Sequence, residues 1–141
     1  MIFFKIEPHL TDIRLRIKGD DLKELFTSGY KGLYQLLLPS GCSDYDHPLS
    51  ECLVHSIHIN SPDVTTLLID FLSEILSVCK VEKAIYCTLE ILNISPTHVD
   101  AQMTGHLVPE FGKNIKGVSD HEVDVKKSPE GQYETMVIFD I

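Results

Sequence analysis

Ile2, Phe4 and Ile6 alternate with Phe3, Lys5 and Glu7, which predicts a first strand ending at Pro8. Beyond His9-Leu10-Thr11-Asp12, residues Ile13, Leu15 and Ile17 alternate with Arg14, Arg16 and Lys18. This is the pattern of a half-buried strand, with Asp12 in the parity of its basic outward row, and that row reads as a solvated face. Gly19-Asp20 turns the chain into a helix with Asp20 as the expected N-cap. Leu22, Leu25, Phe26, Gly29, Leu33, Leu36 and Leu37 make its apolar stripe, and Gly29 on that stripe predicts a close approach to the sheet. Pro39 ends the helix, and residues 40–50 form a polar connection.

Leu53, Ile57 and Ile59 mark a third strand. Ser61-Pro62-Asp63 then launches a second helix, with Ser61 as the expected N-cap. Val64, Leu67, Leu68, Phe71, Leu72, Ile75, Leu76 and Cys79 supply its wide apolar face, and Asp70 and Glu74 its solvated side. Ile85, Cys87, Leu89 and Ile91 alternate inward up to a turn at Ser95-Pro96-Thr97. Val99, Ala101, Met103 and Leu107 then alternate with polar neighbours. A loop from Pro109 to Asn114 leads to a strand near Ile115–Val125, and a Ser128-Pro129-Glu130-Gly131 turn precedes the last strand. The order predicts one α+β domain over residues 1–141, with two helices packed on a mostly antiparallel sheet.

In the last strand Met136, Val137, Ile138 and Phe139 form a continuous apolar run, as in a central strand buried on both faces. Parity puts Asp140 beside Ile138 and Met136, at the end of what reads as a core row, next to the terminal carboxylate of Ile141. A carboxylate in such a place needs a cation or hydrogen-bond donors.

The net charge of −9 argues against a surface that tracks phosphates, so a role with nucleic acid would pass through a protein partner. The opening residues are too short for a signal peptide's apolar core, and no run approaches a membrane span. Cys42, Cys52, Cys79 and Cys87 lack C-x-x-C spacing and read as reduced thiols of a cytoplasmic protein. Cys42, His47, Cys52, His55 and His58 do not make a zinc site, because His55 and His58 point to opposite faces of a strand. Gly112 and Gly117 stand alone and fit no nucleotide fingerprint. Ser119 and His121 share a strand face with Val123 and Val125, which favours a packed histidine over a nucleophile pair. Asp12, Asp140 and the terminal carboxylate remain as a partial oxygen shell for a hard divalent cation.

Five motifs in order then carry a resemblance that runs from His9 to Ile141: His9-x-x-Asp12-Ile13, Gly19-Asp20-x-Leu22-x-Glu24-Leu25-Phe26, Leu67-Leu68-x-Asp70-Phe71-Leu72-x-Glu74-Ile75-Leu76, Ile115-Lys116-Gly117-Val118-Ser119-x-His121 and Val137-Ile138-Phe139-Asp140-Ile141. Together they resemble the archease family, small acidic accessory proteins of RtcB-type tRNA-splicing RNA ligases. The resemblance implies a non-enzyme that promotes guanylylation of the ligase and its multiple turnover in tRNA splicing or RNA repair, with RNA met only through the ligase. It implies a metal, calcium with magnesium and manganese as alternatives, at Asp12, Asp140 and Ile141, and no catalytic residue. It also implies an activating or partner-facing role for Lys116 and His9. The chain departs from the family pattern at Leu10-Thr11, at Asp120 and in a short Pro109–Asn114 loop. Two other readings use the same residues: a metal-dependent phosphohydrolase or nuclease, and a chaperone-like modulator of an RNA-modifying enzyme. A hydrolase calls for a general base and more phosphate-binding cations in a deep cleft.

Overall fold

The computed structural model describes residues 2–9, 11–38 and 53–141. Within them the chain forms β1 (Phe3–Pro8), β2 (Asp12–Gly19), α1 (Leu22–Leu37), β3 (Leu53–Asn60), α2 (Val64–Glu82), β4 (Ala84–Ser95), β5 (His98–Leu107), β6 (Gly117–Val118), β7 (Lys126–Lys127) and β8 (Tyr133–Asp140). Pro39, the polar connection, Cys42, His47 and Cys52 lie outside the described residues.

The α+β class with two helices is borne out, and every strand pairing is antiparallel. The strands divide into two sheets rather than one. The first has the order β1-β2-β8-β6, with β7 also on β8, and the second has the order β3-β5-β4. Both helices contact both sheets. The physical reason is the breadth of their apolar surface: one sheet could not cover the faces of α1 and α2, so the helices lie between two.

On one side of α1, a Cβ at Gly32 would stand 2.5 Å from the Leu15 side chain of β2. Gly32 therefore makes the close approach expected at Gly29, whose Cβ would meet Leu72 and Ile17 at an ordinary 3.4–3.5 Å. On the other side the Tyr30 hydroxyl donates to the Tyr86 carbonyl of β4 (2.7 Å). Leu25, Phe26, Leu33, Leu67, Phe71 and Leu72 are fully buried between the sheets.

Both helices start slightly later than expected. The Asp21 carboxylate, on extended backbone, accepts the Glu24 N–H (2.8 Å), while the Glu24 carboxylate accepts from the Asp20 N–H (2.9 Å). In α2 the cap is Asp63, which accepts from the Thr66 N–H (2.8 Å). Ser61 instead turns its hydroxyl to Asp70 (2.7 Å). A carboxylate three residues before a free N–H is the better cap in each case.

Three further expectations change. The strand foreseen near Ile115–Val125 is reduced to the two-residue β6, with irregular chain up to β7. Leu107 is exposed and its neighbour His106 buried, a break in alternation at the last two residues of β5. Cys87 is disulfide-bonded, against four reduced thiols; pairing is not readable from spacing. Cys79 is a free thiol, and burial pushes it up to about 12.

At the β4–β5 register shift between Tyr86 and Thr88, Gly105 lies directly under β4, and a Cβ there would overlap the Ile85 carbonyl oxygen and the Tyr86 Cα. Neither is a side-chain end that can swing away. Gly105→Ala is therefore expected to lower stability by about 1–3 kcal/mol. Gly117→Ala, with nothing near its Cβ, is expected to stay within about 0.5 kcal/mol. Urea titration of both variants checks the contrast.

Candidate metal and partner site at the end of the central strand

β8 is held between β2 on one edge and β6 and β7 on the other. Its register on β2 sets Val137 opposite Leu15, Phe139 opposite Ile13 and Asp140 opposite Asp12. Val137, Phe139, Leu15 and Ile13 are buried in the core between the sheets. Asp12 and Asp140 have the opposite parity and project from the face turned away from the helices. This corrects the expected core row. Met136, Ile138 and Asp140 do share a face, but the core row is the other one. Ile138 is nonetheless only 6% exposed, so both faces of β8 are covered and alternation could not tell them apart.

Residues directly opposite in an antiparallel pair hold their Cβ atoms about 4.5–5.5 Å apart, and like charges there repel. Main-chain bonds bring the other expected residues to the same end. The Lys116 N–H donates to the Asp140 carbonyl (2.7 Å), and Gly117 pairs with Asp140. The His9 N–H donates to the Asp12 carbonyl (3.0 Å). Ile141 is half-buried with its side chain against the core, so its main chain stays beside Asp140. His9, Asp12, Lys116, Asp140 and Ile141 thus converge, with the His9 and Lys116 side chains exposed.

One oxygen of Asp12, Oδ1, is buried and accepts no hydrogen bond. Arg14 Nε stands 3.8 Å from it, too far to donate, and is itself buried without an acceptor. The other end of that guanidinium reaches Glu122, 3.5 Å away. Arg14 lies in the row expected to be solvated, and its position two residues from Asp12 on one face is the sequence signal for its approach to that carboxylate. Glu122 carries positive φ (64°) and had no sequence signal.

An orphaned carboxylate oxygen beside a second carboxylate fits a hard cation that takes oxygen donors. Asp12 and Asp140 would hold it, with a main-chain oxygen of Ile141 and water completing the shell. Among the described residues no three His, Cys, Asp or Glu side chains meet as a ligand group, so a shell here cannot be made of side chains alone.

Lys116 also lines a cavity of about 230 Å³ with Ser73, Ser77 and Lys80 of α2. Lys80 Nζ donates to the Ile115 carbonyl (2.9 Å) and so ties α2 to the segment carrying Lys116. A neighbouring cavity of about 350 Å³ adds Lys83 and Lys113. Lys116, whose N–H holds the Asp140 carbonyl, thus also borders a lysine-bearing flank at α2, in a chain of net charge −9.

The other candidates are not assembled. Ser119 Oγ accepts the His121 N–H (3.1 Å) in a turn. The His121 side chain is 88% exposed, so it is not the packed histidine expected. His55 faces inward and His58 outward, as their parity predicts.

Residues 4–141 match the model of the Archease protein family (MTH1598/TM1083). The chain belongs to the archease family. It is 26% identical to protein archease of Methanosarcina acetivorans, over 94% of this chain and 92% of that one. With protein archease of Pyrococcus abyssi it shares 24% identity over 94% of each. The solution structure of Methanobacterium thermoautotrophicum protein 1598 has the same fold (TM-score 0.69, 18% identity, 98% of both chains). So does a Thermotoga maritima archease described as a possible chaperone (TM-score 0.64, 18% identity, 96% of both chains).

If the two opposed carboxylates repel in the metal-free protein, Asp140→Asn should raise its stability by about 0.2–1 kcal/mol, toward the low end because Asp140 is exposed. Millimolar calcium should raise the melting temperature of the wild type and leave that of the variant unchanged. Differential scanning fluorimetry with and without calcium reads both.

Proposed function

We propose that this archease is an accessory protein that activates an RtcB-type RNA ligase, promoting its guanylylation and repeated turnover in tRNA splicing or RNA repair. It acts in the cytoplasm, performs no ligation itself and meets RNA only through the ligase. Family membership supports the class. The observation that carries the site is the cross-strand placement of Asp12 against Asp140 with the Lys116 N–H on the Asp140 carbonyl.

The chemistry follows from charge. A divalent cation, calcium or in its place magnesium or manganese, held by Asp12, Asp140 and Ile141, would supply a fixed positive charge for a partner's phosphate groups. Lys116 adds a mobile ammonium beside it, and Lys80 steadies the segment through the Ile115 carbonyl. His9 stands at the same end, placed by its main-chain bond to Asp12. An exposed acidic end flanked by lysines suits docking on another protein's active site better than enclosing a substrate of its own.

A second reading, a chaperone-like modulator of an RNA-modifying enzyme, is favoured by the description of the Thermotoga maritima archease as a possible chaperone. It predicts partner binding that survives loss of both acids.

The test is a multiple-turnover ligation assay with limiting RtcB-type ligase, GTP and divalent metal. Wild-type protein should raise the number of turnovers severalfold, and Asp140→Ala and Lys116→Ala should each abolish most of that gain. Stimulation retained by both variants would keep the partner and remove the site. No stimulation of a ligase shown to be active would remove the ligase role.

A further inference from the structure

One stripe of α2 faces the segment of β6 across the cavity of about 230 Å³. Ser73, Ser77, Lys80 and Val81 follow one another on that stripe at helical spacing, and Lys116 and Gly117 stand across from them. Lys80 is fixed in place here. One of the three N–H groups of its ammonium goes to the Ile115 carbonyl (2.9 Å), which leaves two to be given. Among the described residues neither Lys80 nor Lys116 is in an ion pair, and the cavity lining carries no carboxylate. The two serines are equally unspent. In α1 the hydroxyls of Thr27 and Ser28 turn back to the carbonyls of Lys23 and Glu24, at 2.7 and 2.9 Å. The hydroxyls of Ser73 and Ser77 make no such bond, nor one to any other group among the described residues.

Two ammonium groups and two hydroxyls thus border one volume as donors, in a chain of net charge −9. Like charges held side by side repel, and an anion between them removes the repulsion. The next cavity along α2 shares Lys80 and adds Lys83 and Lys113, so the positive potential extends beyond the first pair. Asp70 and Glu74 line a separate cavity that shares the two serines, and both are turned to other groups. The Ser61 hydroxyl donates to Asp70 (2.7 Å), and His55 stands 4.0 Å from Glu74. The donor set selects the kind of anion. A carboxylate has two oxygens in one plane, whereas a phosphoryl group turns three toward donors that arrive from several directions. Gly117 has nothing near its Cβ, so a tetrahedral group can lie against the main chain there. A cavity this small suits one or two phosphoryl groups, and the net charge of the chain repels a long polyanion.

We propose that Ser73, Ser77, Lys80 and Lys116 bind the phosphoryl group of a small molecule, either free pyrophosphate or a nucleotide that carries the same group. Lys80 is the cation set in advance by the Ile115 carbonyl, and the exposed Lys116 is the flexible one that closes on the ligand. The serine hydroxyls, one helical turn apart, supply neutral donors to the remaining oxygens. Val81, 85% exposed on the same stripe, gives an apolar contact to any organic body attached to the phosphate. The site goes beyond the ligase reading, because it belongs to this chain alone and needs no partner to form. It also differs in chemistry from the Asp12–Asp140 end, where acids suit a cation.

The test is titration of isotope-labelled full-length protein with pyrophosphate at constant ionic strength, read by amide chemical shifts. The amides of Ser77, Lys80 and Gly117 should move together and saturate at millimolar concentration or below, and acetate should produce no saturable shift. Tighter binding of ADP than of pyrophosphate assigns the phosphate to a nucleotide, and the reverse order assigns it to the free anion. Lys80→Gln, which keeps a donor for the Ile115 carbonyl, and Lys116→Gln should each weaken pyrophosphate binding by about tenfold or more. Ser73→Ala and Ser77→Ala together, at positions where alanine suits a helix, should weaken it by about 5–10-fold. Lys23→Ala removes the same charge from α1 and should change nothing. Circular dichroism establishes that each variant is folded. Absence of a saturable shift in the wild type overturns the proposal. So does binding that survives Lys80→Gln and Lys116→Gln together, that acetate matches, or that Lys23→Ala weakens as much. No ligase enters these titrations, so their failure leaves the proposed function standing, and failure of the ligation assay leaves this site standing.

Discussion

The register of β8 on β2 is the constraint from which both the core and the site follow. Because side chains alternate with a period of two, one setting sends Val137 and Phe139 to the helices and Asp140 to Asp12. A slip of one residue would turn Val137 and Phe139 out of the core and move Asp140 off its partner. Burial of two fully enclosed side chains thus fixes the position of an exposed carboxylate. The pairing of β6 on the far edge of the same strand then brings Lys116 to the same end.

Around that strand the energetics divide by face. Toward the helices, packing is tight enough that Gly32 has no room for a methyl group against Leu15. On the opposite face two acids oppose each other, and the nearest arginine comes close to Asp12 without donating to it. A rigid core can sustain such a local conflict, and conflicts of this type concentrate where proteins bind something. The same rigid layer presents the lysines of α2 and of the segment after β5 along one flank.

Much of the secondary structure was legible because one face of most elements is buried. Alternation in β2, β3 and much of β5 and the stripes of both helices survive almost residue for residue. The division into two sheets was not legible, because it depends on which strand pairs with which: β8 returns to β2, and β3 chooses β5. The N-caps moved by one or two residues because Asp20 and Asp21 compete at the first start and Ser61 and Asp63 at the second. Leu107 and His106 depart from alternation only at the very end of β5, and His121 is exposed because its segment is not a strand. Of the site, the convergence of His9, Asp12, Lys116, Asp140 and Ile141 followed from parity and the family resemblance together. The placement of the Arg14 guanidinium between Asp12 and Glu122 came only from three dimensions, since Glu122 is distant in sequence.

The pairing of β2 with β8 also joins segments from nearly opposite ends of the described chain. Contacts of such long sequence separation are closed late and slowly, because the entropy of the intervening loop has to be overcome first. The second sheet, made from segments much nearer in sequence, can form without β8. The first sheet cannot be completed without it, and neither can the acidic pair. A partly folded chain with both helices and the second sheet in place would therefore lack the Asp12–Asp140 pair. The opposed carboxylates are assembled only with the last strand, so their pairing is a mark of finished folding.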